Sequence, residues 1–263
     1  GTVSQRLGSI EVLLYGHARH GVETVPRSCG LSGNRSSGFF KRSCTSMRGK
    51  RPLGKRGFGI MKIQILSFPE QLSSEGTSFE VSHLLWGTKF APPVTGRIGY
   101  VPGDGFYVEM TCFETDPLRR QTGFQVPVYL DSAMEAFFHF PFSGKRSRKL
   151  SPYINLEFNA NGALLAQYGF ARTGRTLFSE AECRALSHHV RLMPDCWKLT
   201  FHLPLSLLEQ IYGITKSSLP DTFSCNFYKI SEDPSIEHYA AFSPILSDAS
   251  DFHRPEFFEK ATF

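Results

Sequence analysis

Apolar and polar residues alternate over short segments along most of the chain after residue 79. Residues 97–101 and 106–114 both alternate, and the turn sequence Pro102-Gly103-Asp104-Gly105 lies between them. Such a turn between two alternating segments predicts a β-hairpin. The same pattern predicts further strands at residues 134–140, 153–159, 163–168, 197–203, 223–230 and 239–242. These segments are too closely spaced for intervening helices, so we expect an all-β fold, an antiparallel β-sandwich or barrel.

Short helices are predicted at two places in this pattern. Ser206 and Glu209 have the spacing of a capping box, in which the serine oxygen accepts a hydrogen bond from the backbone N–H of the glutamate and the carboxylate accepts one in return. Gly213 then provides a stop signal. A second, shorter helix is predicted to begin at Ser179. The aromatic segment 251–258 is expected to dock on the sheet.

The strand predicted at residues 153–159 has one apolar and one polar face. The polar face consists of Tyr153, Asn155, Glu157 and Asn159. Carboxylates and carboxamides provide paired acceptors and donors, which the adjacent hydroxyl groups of a sugar require and a hydrophobic core does not. Glu135 on the preceding strand, Asn155 and Glu157 are therefore candidate sugar-binding residues.

Aromatic side chains are the second requirement of such a site, because a sugar ring packs its C–H face against them. Trp86, Tyr129, Tyr168 and Trp197 are the candidates for this platform, although Trp197 begins a strand and suits a core position better. Arg172, in a loop that follows the polar strand region, is a candidate for binding vicinal hydroxyl groups. A solvated loop position is the alternative for this arginine.

Acidic residues at a strand end raise the question of a metal. Glu114 and Asp116 are one residue apart where a predicted strand stops at Pro117. Oxygen clusters of this type can bind calcium, which takes about six to eight oxygen ligands. Asp131 is the third candidate metal ligand. A turn with solvated acids, or a capping role for Asp131, is the alternative interpretation.

Positive charge is concentrated in the first part of the chain. The formal net charge is +5, but residues 1–60 hold 11 of the 29 lysines and arginines and few acids, so residues 61–263 carry a net charge of −4. The basic leader, residues 1–60, is rich in Gly and Ser and is expected to be disordered. It is interpreted as an extension before a natural start at Met61, as a transit-like segment or as a nucleic-acid-binding arm. We expect no nucleic-acid partner for the acidic remainder.

The remaining composition points to an ordinary soluble protein. No run of about 18 or more apolar residues occurs, so neither a membrane span nor a membrane partner is expected. The six cysteines show no C-x-x-C spacing and no clustering, so neither a zinc site nor a disulfide scaffold is predicted. Reduced thiols favour a cytoplasmic location. The sequence leaves the oligomeric state open.

Five motifs occur in order along residues 62–263. They are Glu114-x-Asp116-Pro117, Asp131-Ser132-x-x-Glu135-x-Phe137, Tyr153-x-Asn155-x-Glu157-Phe158-Asn159-x-x-Gly162, Asn226-Phe227-Tyr228-Lys229 and Phe252-His253-Arg254-Pro255-Glu256-Phe257-Phe258. In this combination the chain resembles the stand-alone family 9-like carbohydrate-binding domains of bacteria. The resemblance implies a β-sandwich of the type shared with DOMON domains.

Ligands are also implied by this resemblance. Family 9 modules of xylanases hold sugar chain ends between two aromatic rings and bind structural calcium, although this chain has Tyr129 where they have a tryptophan. Some DOMON domains bind haem through a methionine and a histidine. Met110 or Met134 with His139 or His238 is therefore a haem-binding alternative.

Non-catalytic carbohydrate binding is the function that these observations predict, with a mono- or oligosaccharide as the partner. Hydrolysis of a glycosidic bond is the enzymatic alternative. Glycosidases place two carboxyl groups about 5–10 Å apart across the scissile bond, and Glu135 and Glu157 are the candidates for that pair.

Overall fold

The computed structural model of the protein describes residues 59–142 and 150–263, in which fifteen strands form two sheets. The large sheet has the order β1 (Met61–Lys62), β15 (Glu259–Thr262), β13 (Thr222–Ser231), β7 (Ala133–His139), β8 (Tyr153–Asn159), β9 (Leu164–Gly169) and β10 (Thr176–Leu177). Two further strands extend it, with β14 (His238–Ala241) paired to β13 and β4 (His83–Leu84) paired to β14.

The small sheet has the order β11 (His189–Leu192), β12 (Trp197–Pro204), β6 (Gly105–Cys112), β5 (Val94–Val101) and β2 (Gln64–Ile65), with β3 (Thr77–Val81) paired to β5. All pairing between these strands is antiparallel except that of β1 with β15 and of β2 with β5. The predicted antiparallel β-sandwich is confirmed.

The predicted strands agree closely with the observed ones. Strands β5 and β6 form the expected hairpin, with Val101 opposite Gly105 next to the turn. Strands β7, β8, β9, β12, β13 and β14 begin and end within one residue of their predicted bounds. Alternation of apolar and polar residues over a whole strand therefore predicts the strand well.

The main hydrophobic core lies between the two sheets. Phe79 on β3 stacks on Phe227 on β13, with ring centroids 3.8 Å apart. Gly96 on β5 lies beneath the Phe79 ring, and a β-carbon there would come within 2.2 Å of the ring. Trp197 is fully buried in this core. The close approach at Gly96 thus allows an aromatic contact that joins the two sheets.

A second, smaller cluster lies on the other face of the large sheet, which we call the outer face. Phe137, Tyr153 and Tyr228 project from this face and are buried by the loops that cover it. Phe252 stacks on Tyr228 with ring centroids 4.1 Å apart. The aromatic segment 251–258 therefore docks on the sheet, as predicted.

Three short α-helices are found in the described residues: α1 (Leu72–Glu75), α2 (Glu180–Ala185) and α3 (Leu205–Tyr212). Helix α2 begins after Ser179, as predicted. The Ser179 side chain accepts a hydrogen bond from the backbone N–H of Glu182 at 3.3 Å, and the Glu182 carboxylate accepts one from the backbone N–H of Ser179 at 2.6 Å. This helix has the complete capping box.

The capping box predicted at Ser206 is wrong. Helix α3 begins two residues earlier than that capping box requires, after Pro204, and no side chain caps it. Strand β12 runs directly into the helix, and the buried Leu205 is already in its first turn. Gly213 ends the helix with a φ of 73°, in the left-handed region that favours glycine, so the predicted stop is confirmed.

Several expectations concern residues outside the description. The structure describes only residues 59 and 60 of the leader, residues 1–60. Cys29 and Cys44 therefore also lie outside the described residues. The cysteines that the structure describes are buried, and none of them forms a disulfide. Every helix in residues 59–142 and 150–263 is too short or too polar to cross a bilayer.

The two serines provide a matched test of helix capping. In Ser179→Ala we expect the free energy of unfolding to fall by about 1 kcal/mol, because the cap of α2 is lost. In Ser206→Ala, at an exposed position inside α3, we expect a change below about 0.5 kcal/mol. Urea denaturation of both variants measures the difference. Equal losses in the two variants would contradict the assignment of the cap to Ser179.

Candidate functional site

A pocket of about 280 Å³ opens on the outer face of the large sheet. Strands β7, β8, β9 and β13 provide its floor, and the loops that cover the outer face provide its walls. The lining residues are Trp86, Tyr129, Glu135, Glu157, Leu165, Gln167, Arg172, Ile230, Glu232, Tyr239, Ser250, Asp251, Phe252 and His253. Five of the predicted sugar-binding residues, Trp86, Tyr129, Glu135, Glu157 and Arg172, are therefore brought together in one cavity.

Two carboxyl groups lie side by side in the floor. Glu135 on β7 is directly opposite Glu157 on β8 in the antiparallel register, and the two residues are 2% and 3% exposed. Burial raises the pKa of the Glu135 carboxyl well above its ordinary value, and the nearby charge of Glu157 raises it further. Burial also raises the pKa of Glu157, to about 7. At neutral pH the pair therefore does not carry two full negative charges.

Asn155, predicted as a binding residue, lies below the pocket and does not line it. Its amide donates a hydrogen bond to Glu157 Oε1 at 2.8 Å and one to Gln167 Oε1 at 3.2 Å. Its oxygen accepts hydrogen bonds from Arg175, from Nη2 at 2.7 Å and from Nε at 3.0 Å. Asn155 is thus fully buried between an arginine and two pocket residues, where it holds the Glu157 carboxyl in place.

Aromatic side chains form one wall of the pocket. The half-buried Trp86 ring meets Tyr239 edge-on, with centroids 5.4 Å apart, and lies 5.3 Å from the ring of Phe252. Its Nε1 donates a hydrogen bond to the carbonyl of Ser247 at 2.8 Å, which fixes the ring relative to the covering loop. Tyr129, also half-buried, is the further aromatic residue of the lining.

Arg172 lies at the rim of the pocket and is already paired. Its Nη1 donates a hydrogen bond to the carbonyl of Ser250 at 3.0 Å. The guanidinium is 3.8 Å from the Asp251 carboxylate and 4.0 Å from the Glu232 carboxylate. The side chain is 53% exposed, so these ion pairs are screened by solvent.

Trp197 does not belong to this site. It is fully buried at the start of β12, and its Nε1 donates a hydrogen bond to Glu114 Oε2 at 3.3 Å. The prediction of Trp197 as a sugar platform is wrong, because the apolar side of its strand faces the core between the sheets.

The carboxylates predicted to bind calcium do not fit a metal site. Asp131 is fully buried and accepts hydrogen bonds from the backbone N–H groups of Arg120 and Gln121 at 2.9 and 2.8 Å, and from Asn159 Nδ2 at 2.8 Å. Asp116 is exposed. In residues 59–142 and 150–263, no three or more His, Cys, Asp or Glu side chains form a group that could hold a metal ion.

Glu114, the third of these carboxylates, lies next to a lysine. Its Oε2 accepts a hydrogen bond from Ser132 Oγ at 2.6 Å and lies 3.8 Å from Lys229 Nζ. Lys229 is fully buried, and its Nζ is 3.0 Å from His238 Nε2. These residues connect the end of β6 in the small sheet to β13 in the large sheet, so their role is structural.

The residues proposed for haem do not form a haem site either. Met110 and Met134 are fully buried in the core between the sheets, and neither lines the pocket. His139 Nε2 is engaged with Ser151, at 2.9 Å from its hydroxyl. His238 is engaged with Lys229. A haem would have to displace the main core to reach either methionine.

Comparison with known proteins gives one family and a set of solved structures. A family model described as carbohydrate-binding family 9 matches residues 67–263. No curated protein matches the chain significantly. A candidate carbohydrate-binding protein from Bacteroides uniformis is 22% identical, with a TM-score of 0.62, over 78% of this chain and 97% of that one. A family 9 module from Caldicellulosiruptor kristjanssonii in complex with cellotriose is 10% identical, with a TM-score of 0.49, over 78% of this chain and 90% of that one.

The buried Glu157 carboxyl makes the stability of the fold depend on pH. Its pKa is about 7 in the folded chain against an ordinary value of 4.5, so between these pH values the unfolded chain releases a proton that the folded chain keeps. The free energy of unfolding therefore falls as the pH rises through this window. In Glu157→Gln we expect the free energy of unfolding to fall less over this window. The difference should be a few kcal/mol, because each unit of pKa difference between the folded and the unfolded chain corresponds to about 1.4 kcal/mol.

Urea denaturation below pH 4.5 and above pH 7 measures this slope. Glu209→Gln, at an exposed position of α3, is the control and should keep the slope of the unmodified chain. If the free energy of unfolding changed with pH by the same amount in Glu157→Gln and in the unmodified chain, the pKa assigned to Glu157 would be contradicted.

Proposed function

The chain belongs to carbohydrate-binding family 9, and we propose that the pocket on the outer face of its large sheet is the place where it binds a saccharide, without catalysing a reaction. The observation that carries this proposal is the combination in one cavity of an aromatic wall and a floor of hydrogen-bonding groups. A sugar needs both, because one face of its ring is apolar and its edges carry hydroxyl groups.

The aromatic wall supplies the apolar contact. Trp86 and Tyr129 are half-buried, so part of each ring faces the cavity. The hydrogen bond of Trp86 to Ser247 fixes its ring before a ligand arrives. A fixed ring loses little side-chain entropy on binding, which favours affinity.

The floor and rim supply the polar contacts. Glu135, Glu157 and Gln167 offer acceptors and one amide donor from neighbouring strands, and Arg172 offers guanidinium N–H groups from the rim. Hydrogen bonds that involve a charged group contribute about 1.5–3 kcal/mol each. Neighbouring hydroxyl groups of one sugar ring would engage several of these groups at once.

The size of the cavity favours a small ligand. Its volume of about 280 Å³ is slightly below the range for small-molecule sites, which is about 300–1,000 Å³. We therefore propose a monosaccharide or the terminal units of an oligosaccharide as the ligand. The segment containing Ser250, Asp251, Phe252 and His253 bounds the cavity and supports an end-on mode of binding.

Calorimetric titration with glucose, cellobiose and xylobiose tests the proposal, and we expect heat of binding with at least one of them. The same samples test hydrolysis by Glu135 and Glu157, because a binding protein releases no reducing sugar from the disaccharides. Absence of heat with all three sugars would count against the pocket as a saccharide site.

The two tryptophans of the chain allow the site to be located by fluorescence. Trp86 lines the pocket and Trp197 is buried in the core. We expect a ligand-dependent change in fluorescence that is lost in Trp86→Phe, together with at least a tenfold weaker affinity, since about 1.4 kcal/mol corresponds to tenfold.

In Trp197→Phe, the matched control, the fluorescence change should persist in protein that is still folded. A signal that instead disappears in Trp197→Phe and persists in Trp86→Phe would place the ligand elsewhere.

A further inference from the structure

Among the polar floor residues of the pocket, Glu135 is the one whose side chain has no hydrogen-bond or ion-pair partner in the part of the chain that the structure describes. Its side chain is 2% exposed and lines the cavity. Within residues 59–142 and 150–263 it forms no hydrogen bond and no ion pair, whereas Glu157 beside it accepts a hydrogen bond from Asn155 at 2.8 Å. A buried carboxyl without a partner is costly to the fold, so its position facing a cavity points to a ligand group.

The charges that line the pocket are unbalanced. Four carboxyl groups line it, those of Glu135, Glu157, Glu232 and Asp251, and among the lining residues Arg172 is the only cation. Burial, with the nearby charges of Arg175 and Arg172, lowers the pKa of His253 to about 3, so its imidazole is neutral.

The guanidinium of Arg172 does not balance the negative charge that the floor carboxyls carry when they ionise. Arg172 is occupied by the two rim carboxylates, Asp251 at 3.8 Å and Glu232 at 4.0 Å. No lysine, arginine or histidine of the described residues lies within 4.0 Å of the Glu135 or Glu157 carboxyl as an ion pair. The floor therefore has no cation among the lining residues that could pair with the two carboxyls when they ionise.

We propose, building on saccharide binding in this pocket, that the preferred ligand is a sugar with a free amino group, whose ammonium lies between Glu135 and Glu157. An ammonium has three N–H donors and no acceptor, which suits two adjacent carboxylates better than a hydroxyl does. It also relieves the repulsion between the two carboxylates, which are almost fully buried.

Proton release is a direct consequence of this arrangement. Burial and mutual repulsion make the pair keep protons in the empty pocket, and an ammonium placed between the carboxyls favours their ionised forms. The other charged or titratable groups that act on the pair are Tyr228 on β13, Glu232 after β13, and Arg172 and Arg175 after β9, together with Lys229 on β13, whose side chain extends toward the small sheet. Binding of an amino sugar should therefore release protons near neutral pH, whereas a neutral sugar should release few.

Calorimetric titration with glucosamine, N-acetylglucosamine and glucose tests the proposal on the full chain. We expect glucosamine to bind at least ten times more tightly than glucose, and N-acetylglucosamine to show no such gain because acetylation removes the charge. Buffers with different heats of ionisation measure the protons released on binding.

Two variants assign the effect to the carboxyl pair. Glu135→Gln and Glu157→Gln should each reduce the preference for glucosamine over glucose by at least tenfold, and their unfolding curves establish that they are folded. The exposed Glu209→Gln should keep the preference.

The outcomes separate this proposal from saccharide binding itself. Heat with glucose but no tighter binding of glucosamine overturns the amino-sugar proposal and leaves saccharide binding in place. A preference for glucosamine that persists in both pocket variants also overturns it. Absence of heat with all three sugars overturns the amino-sugar proposal, whereas saccharide binding itself is decided by the titrations with cellobiose and xylobiose.

Discussion

Burial of polar side chains on the outer face of the large sheet is the constraint on which the rest of the structure depends. Such groups are stable only when their donors and acceptors are matched. Asp131 meets this condition by binding the backbone of residues 120–121, and Asn159 donates hydrogen bonds to Asp131 and to the carbonyl of Gln121. The polar residues thereby fasten the covering loops to the sheet. They leave Glu135 unmatched at the place where the loops open into a pocket.

The fold could be predicted from the sequence wherever a strand is long enough to show its period. Strand β8 alternates over its whole length, and both its first and its last residue were predicted correctly. Strands β1, β2, β4 and β10 have two residues each, which is too short for any period, and they were missed. The start of α3 was also missed, because local spacing at Ser206 cannot show that the preceding strand continues directly into the helix.

The site could be predicted in part, from the same polar strand pattern. Glu135 and Glu157 stood out because carboxylates on a strand face have no use in a core, and the structure places both in the pocket floor. Tyr239 and Glu232 were missed, since only the tertiary structure brings their segments to the pocket. Asp131 was predicted as a metal ligand, and the hydrogen bonds that its carboxylate accepts from backbone N–H groups are a feature that no sequence motif reveals.

The docked segment 251–258 determines when the pocket can exist during synthesis of the chain. Phe252 and His253 form part of the pocket wall, and β15, which follows this segment, pairs with both β13 and β1. The floor strands are made earlier, so the paired carboxyls remain open to water until residues 250–262 have left the ribosome. Completion of the pocket therefore coincides with closure of the large sheet, and a nascent chain cannot hold ligand in a complete pocket before that part of the sheet has folded.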